Sequence, residues 1–493
     1  MRRIFIRELS FHTFDSLADI LGVDEPKAAC CIEQLTTRGV LKLRTSDDSK
    51  GYDPAHTGSV RGSYQFVYVG LAVFEDLCIV VYPKYLPEGD PSMDDMRQVF
   101  RVLRRSSSSL SQITAVTEDG MRANDRLALM LALLEMYDEY GLYSNYVKYL
   151  ADNGPGDISW ERTIAANQPY LSGNTPVYFD CKTVETDKDT ADYVMRLHRC
   201  VLTECSQFMQ ENGISDLLSL DEFDLSDNER DDFGDKEYIC YRLDCEKTVQ
   251  FVTWKQQLLD LLYRYIAEED SVIASDDVAC LGTSSFYHVW ELACKTALDD
   301  LLMLPIGTLG LALEEGYRDR SASTLLDIVP RPLWATGDGR DCGPVDTLIP
   351  DTVCFKKRRD GSVVFCIFDA KYYTPVLGTN VTGAPGVESV TKQILYQSAY
   401  KDFITEHGFT GVVNAFVVPG NSENVKLMGN VSFPGVFEEP PVPFVSDVKM
   451  WALPAQKIFD AYLEGKPITD ETLDQLWNTT EDSEAQGGPI VSN

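Results

Sequence analysis

Two short runs in the last third of the chain carry residue types suited to cutting a phosphodiester with a bound cation. Asp351 follows Pro350 at the head of a strand-like segment, IPDTVCFKK, and Asp369 and Lys371 close a second one, VVFCIFDAKYY. Residues two apart in a strand project to one face, so Asp369 and Lys371 are expected to point the same way. Carboxylates are natural ligands of a hard cation, and magnesium takes one or two of them while keeping several waters. A cation so held neutralises phosphate charge and polarises a water for attack. Asp351 and Asp369 would bind it, with the Ala370 carbonyl as a further ligand. Lys371 would orient the water, favour its deprotonation or stabilise the charge that develops at phosphorus. Glu291, in the helical stretch FYHVWELACKTALDDLLML, would complete the metal shell or hold a metal-bound water.

These side chains need a scaffold, and residues 271–469 read as one. The stretch Phe286–Leu304 is an amphipathic helix. The segment IPDTVCFKK is a strand, and Asp360-Gly361 is a hairpin signal. The run Val363–Phe368 is wholly apolar, as a buried central strand should be. TKQILYQSAYKDFITEHG then reads as a helix and VVNAFVVPG as another buried strand. Helix, strand hairpin, helix and strand in this order predict an α/β domain with a mixed sheet flanked by helices.

The pattern P-D-x17-D-A-K, with a helical glutamate upstream, resembles the PD-(D/E)XK nuclease signature. Pro350-Asp351 matches its first element and Asp369-Ala370-Lys371 its second. The run Tyr396-Gln397-Ser398-Ala399-Tyr400 looks like the element that follows D-A-K in McrC-like and LlaJI-type restriction nucleases. ISWERTI, VYFD and VVYPKYL elsewhere in the chain also look like LlaJI-family elements. The resemblance implies a restriction-endonuclease-like C-terminal domain and a Mg2+-dependent DNA endonuclease of a restriction or phage-defence system, with Mn2+ able to substitute. It implies double-stranded DNA as substrate and catalytic roles for Asp351, Asp369, Lys371, Glu291 and Gln397. Gln397, and with it Tyr400, would contact the scissile strand or order active-site water; the other reading makes the tyrosines core and the glutamines surface. A McrB-like AAA+ GTPase is the implied partner. The chain itself has no G-x-x-x-x-G-K-[ST] with which to hydrolyse a nucleotide. Cutting both strands would need at least transient pairing of two copies.

The first hundred residues predict a winged-helix-like and β module. DSLADIL and the stretch after Asp24 read as two short helices, with Gly22 in the turn and Gly39 as a stop. Leu17, Ile20, Ala28, Ile32 and Leu35 would share their inner face. Such a module binds DNA or docks on protein. Residues 101–270 read as a mainly helical docking or linker region. Within it, 156–180 is a loop-rich connector, and an acidic stretch around Leu217–Asp235 is a solvated loop or insertion. Residues 470–493 read as an acidic disordered tail.

At 493 residues, with 44% hydrophobic and 25% charged residues, the composition is that of a globular protein of several domains. No stretch approaches about 20 uninterrupted apolar residues, so no transmembrane helix is expected and the expected location is the cytoplasm. The thirteen cysteines form no C-x-x-C and there are only five histidines, which argues against a zinc site. A net charge of −33 runs against nucleic-acid binding in general. The acid is nevertheless concentrated away from the first hundred residues and the D-A-K region. The alternative from another class is a winged-helix DNA-binding or scaffold protein whose nuclease fold serves only for interaction.

Overall fold

The apolar run Val363–Phe368 forms the inner part of a strand in a five-stranded mixed sheet, and most of what positions the D-A-K segment is built around it. In the computed structural model the described residues are 2–44, 63–74, 77–106, 126–189, 192–267, 278–343, 346–433, 447–469 and 471–478. They form a mixed α/β protein whose contacts divide into two compact units, residues 113–280 and residues 2–112 together with 281–493.

In the second unit, β1 (Arg2–Arg7) precedes two helices, α1 (Phe14–Leu21) and α2 (Glu25–Thr37). Thr13 caps α1 by accepting from Ser16 N–H, and Asp24 caps α2 by accepting from Lys27 N–H. Gly22 ends α1 in the left-handed conformation. Leu17, Ala28, Ile32 and Leu35 are buried as expected, whereas Leu21 takes the buried place assigned to Ile20. The strand after α2, Leu41–Arg44, pairs antiparallel with Ser63–Phe66. Ser63–Phe66 joins that small sheet, while the next strand, β2 (Val69–Phe74), belongs to another.

In this other sheet β2 pairs antiparallel with β3 (Leu77–Tyr82), and β1 lies parallel to β3. A fourth strand, Ala279–Thr283, completes the order at the β2 edge. Backbones approach closely there. A Cβ on Gly70 would lie 2.2 Å from the Leu281 carbonyl oxygen, and one on Gly282 2.2 Å from that of Val69. Glycine is required at both positions.

The expected boundary near residue 100 is therefore not a boundary of the fold. The N-terminal sheet shares a unit with the C-terminal half because its apolar faces need cover. Helix Met93–Ser106 packs on a C-terminal helix, with Gln98 Nε2 donating to the Gln456 carbonyl at 2.9 Å.

The C-terminal half starts with α3 (Phe286–Leu298) and leads into β4 (Thr352–Lys357) and β5 (Val363–Ala370). Then come α4 (Val387–Ala399), β6 (Gly411–Gly420), β7 (Lys426–Val431), β8 (Val448–Pro454) and α5 (Ala455–Glu464). The sheet order is β4-β5-β6-β8-β7. β4/β5 and β7/β8 are antiparallel, and β5/β6 and β6/β8 are parallel. Parallel central strands must be covered on both faces, hence the largely apolar sequences of β5 and β6, interrupted by Asp369 and Asn414. Of the tail expected to be disordered, Glu471–Leu473 and Gln475–Asn478 form short helical turns with Leu473, Leu476 and Trp477 buried. Arg358 Nε donates to the Trp477 carbonyl at 2.8 Å and holds this segment on the hairpin. The remainder of the expected tail, 479–493, lies outside the described residues.

The unit of residues 113–280 contains the helices Arg126–Tyr140, Tyr193–Glu211, Lys236–Val249 and Thr253–Ala267. It also has more β structure than expected. Tyr146–Asp152 pairs antiparallel with Lys182–Lys188, and Tyr170–Ser172 with Thr175–Val177. The second pair is a tight hairpin of three-residue strands, and the first joins segments about thirty residues apart in the sequence. The acidic stretch is not a free loop. Phe223 N–H donates to Ser206 Oγ at 2.7 Å and Leu225 N–H to Thr203 Oγ1 at 2.9 Å, strapping it along helix Tyr193–Glu211. Phe233 is buried.

Candidate active site

The strand register sets the two aspartates opposite each other. Thr352 pairs with Phe368 and Val353 with Ile367, so one further step brings Asp351 across from Asp369. Ala370 N–H donates to Asp351 Oδ2 at 2.9 Å. Lys371 Nζ lies 2.6 Å from Asp369 Oδ2 and 4.0 Å from Asp351 Oδ2. The side chains of Asp369, Asp351 and Lys371 are 9, 21 and 23% exposed, so the cluster is largely enclosed and still reaches solvent.

Two carboxylates and one ammonium in so small a volume perturb one another. Burial, then the neighbouring Asp369 charge, pushes the Asp351 carboxyl up to about 7, against the pull of Lys371. For Lys371, burial works to discharge the ammonium, and the adjacent carboxylates, Asp369 foremost, outweigh it and hold its pKa above the ordinary lysine value. One cation does not satisfy two carboxylates here, and Asp351 carries the imbalance.

Glu291 stands on α3 with its side chain 28% exposed. Its Oε1 accepts from Lys295 Nζ at 3.0 Å, and its Oε2 lies 3.6 Å from His288 Nδ1. Its charge is felt at Asp351 and at the buried Cys294 thiol. Among the described residues, however, no three His, Cys, Asp or Glu side chains converge as a metal shell. The expected third carboxylate ligand is thus paired along its own helix. A glutamate one turn before a lysine makes an i,i+4 ion pair.

Gln397 departs further from expectation. Its side chain is buried at 2% exposure, beneath α4 and against β6, where its Oε1 accepts from Asn414 Nδ2 at 3.0 Å. Gln393 is likewise buried and donates from Nε2 to the Ala415 carbonyl at 3.2 Å. Tyr400 is fully buried, and its hydroxyl donates to the Leu325 carbonyl at 3.0 Å. Neither Gln397 nor Tyr400 is placed to touch a DNA strand at the surface. The tyrosine is core, as one of the two readings had it; the glutamines, expected at the surface on that reading, are buried as well.

Several residues that hold the cluster were not singled out from the sequence. The Val417 carbonyl accepts both from Lys371 N–H at 2.9 Å and from Trp290 Nε1–H at 3.2 Å, tying the end of β5 to α3. Asp300 Oδ1 accepts from Val353 N–H at 2.9 Å and Leu302 N–H at 3.2 Å, which fixes the start of β4 beside Asp351. Tyr396 donates to the Ile349 carbonyl at 2.9 Å and fixes the approach to Pro350. Burial, then Asp369 and Asp351, raises its phenol pKa and keeps it a donor. Apart from Asp300 with Leu302, these contacts join residues far apart in the sequence, where no local pattern gives the pairing.

The family model of the LlaJI restriction endonuclease matches residues 68–304 and 319–450. A curated relative, the type II restriction enzyme BsuMI component YdjA of Bacillus subtilis (strain 168), is 25% identical over 361 residues, covering 71% of this chain and 69% of the relative. Two solved assemblies are more remote. The refined half-complex of Thermococcus gammatolerans McrB AAA+ hexamers with bound McrC superposes with a TM-score of 0.37 at 12% identity, covering 94% of this chain and 99% of that one. The McrBC complex of the same organism gives 0.24 at 12% identity, with 58 and 85% covered. At those values neither fold nor role is carried over. The family match is of another order: it spans well over half of the chain and takes in Glu291, both aspartates, Lys371 and Gln397. This chain belongs to the LlaJI restriction endonuclease family.

Proposed function

We propose that this chain is the cutting subunit of a restriction system, a PD-(D/E)XK-type endonuclease that hydrolyses double-stranded DNA with Mg2+ or, in its place, Mn2+. The observation that carries the reading is the facing pair Asp351 and Asp369 with Lys371 against both, at the solvent-reaching end of two buried strands. The donor set fits such a cation. Two crowded carboxylates with one ammonium between them leave Asp351 hard to ionise, which a divalent ion would relieve. Magnesium needs no more than one or two protein carboxylates.

Asp351 and Asp369 would hold the cation, with the Ala370 carbonyl as a further ligand. When bound, it neutralises the scissile phosphate and activates a water. Lys371 holds its proton at Nζ beside Asp369 and from there can orient the attacking water or stabilise charge on the phosphate oxygens. Asp300, Trp290 and Tyr396 keep the two strand ends in register. Glu291 reaches a cation-bound water only by leaving Lys295, so it serves as an outer carboxylate. Gln397 acts from behind, by positioning β6.

The proposal includes a McrB-like AAA+ GTPase partner, because the resemblance implies one and the chain lacks a P-loop of its own. Unit 113–280 exposes Trp160, Tyr170, Leu171 and Phe179, apolar surface of the kind that a protein partner covers. A double-strand break would draw on two sites, through transient pairing of two copies. The test is cleavage of plasmid DNA by the purified chain with Mg2+, with and without the AAA+ subunit and GTP. Cutting should vanish with EDTA and in Asp369→Ala and Lys371→Ala. Retained cutting in either purified variant sinks the assignment.

A further inference from the structure

The strand that ends in D-A-K leaves the sheet immediately afterwards. β5 closes at Ala370, and Lys371 N–H still bonds the Val417 carbonyl at 2.9 Å. Next comes Tyr372. Adjacent residues of extended chain point to opposite sides, so as Lys371 turns to Asp369 and Asp351, Tyr372 turns the other way. Tyr372 is 5% exposed, and its ring lies 5.3 Å, centroid to centroid, from Phe286 of α3. Its hydroxyl donates to Glu8 Oε2 at 2.5 Å. The same oxygen accepts from Lys84 N–H at 3.0 Å, and the Lys84 ammonium stands 4.7 Å from the Tyr372 ring centroid. Glu8 itself is fixed where β1 ends, its N–H donating to the Tyr82 carbonyl at 2.8 Å.

A carboxylate 363 positions upstream of Lys371 in the sequence is thereby bonded to the residue next to it. Structural need alone does not account for this arrangement. A phenylalanine would fill the same space against Phe286, and a buried carboxylate is costly unless its bonds matter. Tyr372, held at both ring and hydroxyl, leaves the Lys371 backbone little freedom. A lysine with four rotatable side-chain bonds needs a fixed backbone to keep Nζ within reach of two carboxylates.

We propose that Glu8 is a positioning residue for Lys371: through the Tyr372 hydroxyl it braces the end of β5 from the N-terminal sheet, making that sheet part of the catalytic apparatus. The proposal rests on the nuclease reading for its effect on rate, and on the hydrogen bonds alone for its effect on structure.

The test uses the full-length chain, with the AAA+ subunit where cutting requires it. Single-turnover plasmid cleavage with saturating Mg2+ is measured for wild type, Tyr372→Phe, Glu8→Ala, Glu8→Gln and the Glu8→Ala/Tyr372→Phe double variant. A small misplacement of a catalytic group can cost about a hundredfold. The expected result is a rate loss of about ten- to a hundredfold in Tyr372→Phe and Glu8→Ala, with DNA affinity unchanged. The double variant should be no slower than the slower single one, because both break the same brace. Glu8→Gln, whose amide oxygen still accepts both bonds, should recover most of the rate lost in Glu8→Ala. Rates within twofold of wild type in Tyr372→Phe and Glu8→Ala, or multiplicative losses in the double variant, would overturn the proposal. Hydrogen exchange at the Lys371 amide gives a readout without catalysis: it should quicken in Tyr372→Phe while α1 and α2 exchange as before. A wild type that cuts nothing removes the nuclease reading, and unchanged exchange at Lys371 removes the brace.

Discussion

At its outer end the five-stranded sheet carries Asp351, Asp369 and Lys371; two residues further in along β5, on the same face, it carries an amide cluster. Asn414 of β6 pairs with Ile367, two residues before Asp369, and beneath α4 its Nδ2 donates to Gln397 Oε1 at 3.0 Å and to the Gln393 carbonyl at 2.9 Å. The inner group is neutral and at most 2% exposed, while the outer one is charged and reaches solvent. Both contain frustrated polar atoms. Gln393 Oε1, Gln397 Nε2 and Asn414 Oδ1 are buried with no hydrogen-bond partner among the described residues. Asp351 is held up at about 7. The difference is what can relieve them. A neutral amide survives burial at a modest cost, whereas two carboxylates sharing one ammonium are relieved only by solvent or a further cation. Position along a strand thus separates a cluster that shapes the sheet from one that can do chemistry.

The sharpest way to break this comparison is to remove charge at the outer end. Asp369→Asn and Lys371→Ala should each lower cleavage by about a thousandfold or more. Asp369→Asn should leave the melting temperature equal or higher, whereas Lys371→Ala, which leaves two facing carboxylates without their cation, should lower it. Loss of folding in Asp369→Asn would mean that the outer cluster is structural too.

The complementary change is Asn414→Ala. It deletes both bonds that the Asn414 amide donates and opens a small void, which should cost about 2–3 kcal/mol of unfolding free energy by denaturant titration. Cleavage measured well below the melting point should stay within about tenfold of wild type. A thousandfold loss with unchanged stability would instead place the amide cluster in the active site.

The pH dependence follows from Asp351. Its folded pKa, about 7, lies above the unfolded carboxylate value, so the folded state binds the extra proton. Stability should therefore fall as pH rises from about 4 to about 7, and level off above that. Asp351→Asn, measured in EDTA, should remove that fall and melt higher than wild type at pH 8, by about 1–2 kcal/mol after allowing for the partial exposure of the carboxylate. Equal pH profiles for the two proteins would show that Asp351 pays no such penalty.

The smallest effect is expected from Tyr400→Phe. It leaves the buried Leu325 carbonyl without its donor and should cost about 1 kcal/mol, with cleavage unaffected.

Much of this molecule is legible in its sequence. The helix pair near the N-terminus, the apolar strands around D-A-K and the convergence of Asp351, Asp369 and Lys371 all follow from local rules: caps, turn residues, period-two alternation and a shared register. The local partners of Glu291 and Gln397 are not legible, because motif identity says nothing of rotamer or burial. Lys295, one turn along the helix, takes the glutamate, and Asn414, on another strand, takes the glutamine.

Sequence by itself determined which residues could hold a cation and on what kind of strand they sit, because hydropathy and spacing along one chain segment are enough for that. Only the tertiary structure decided which carboxylate is left hard to ionise, which glutamine is sealed in, and that Glu8 braces the lysine. Those outcomes depend on burial and on contacts between segments hundreds of residues apart, and no local pattern encodes the distance at which two such segments meet.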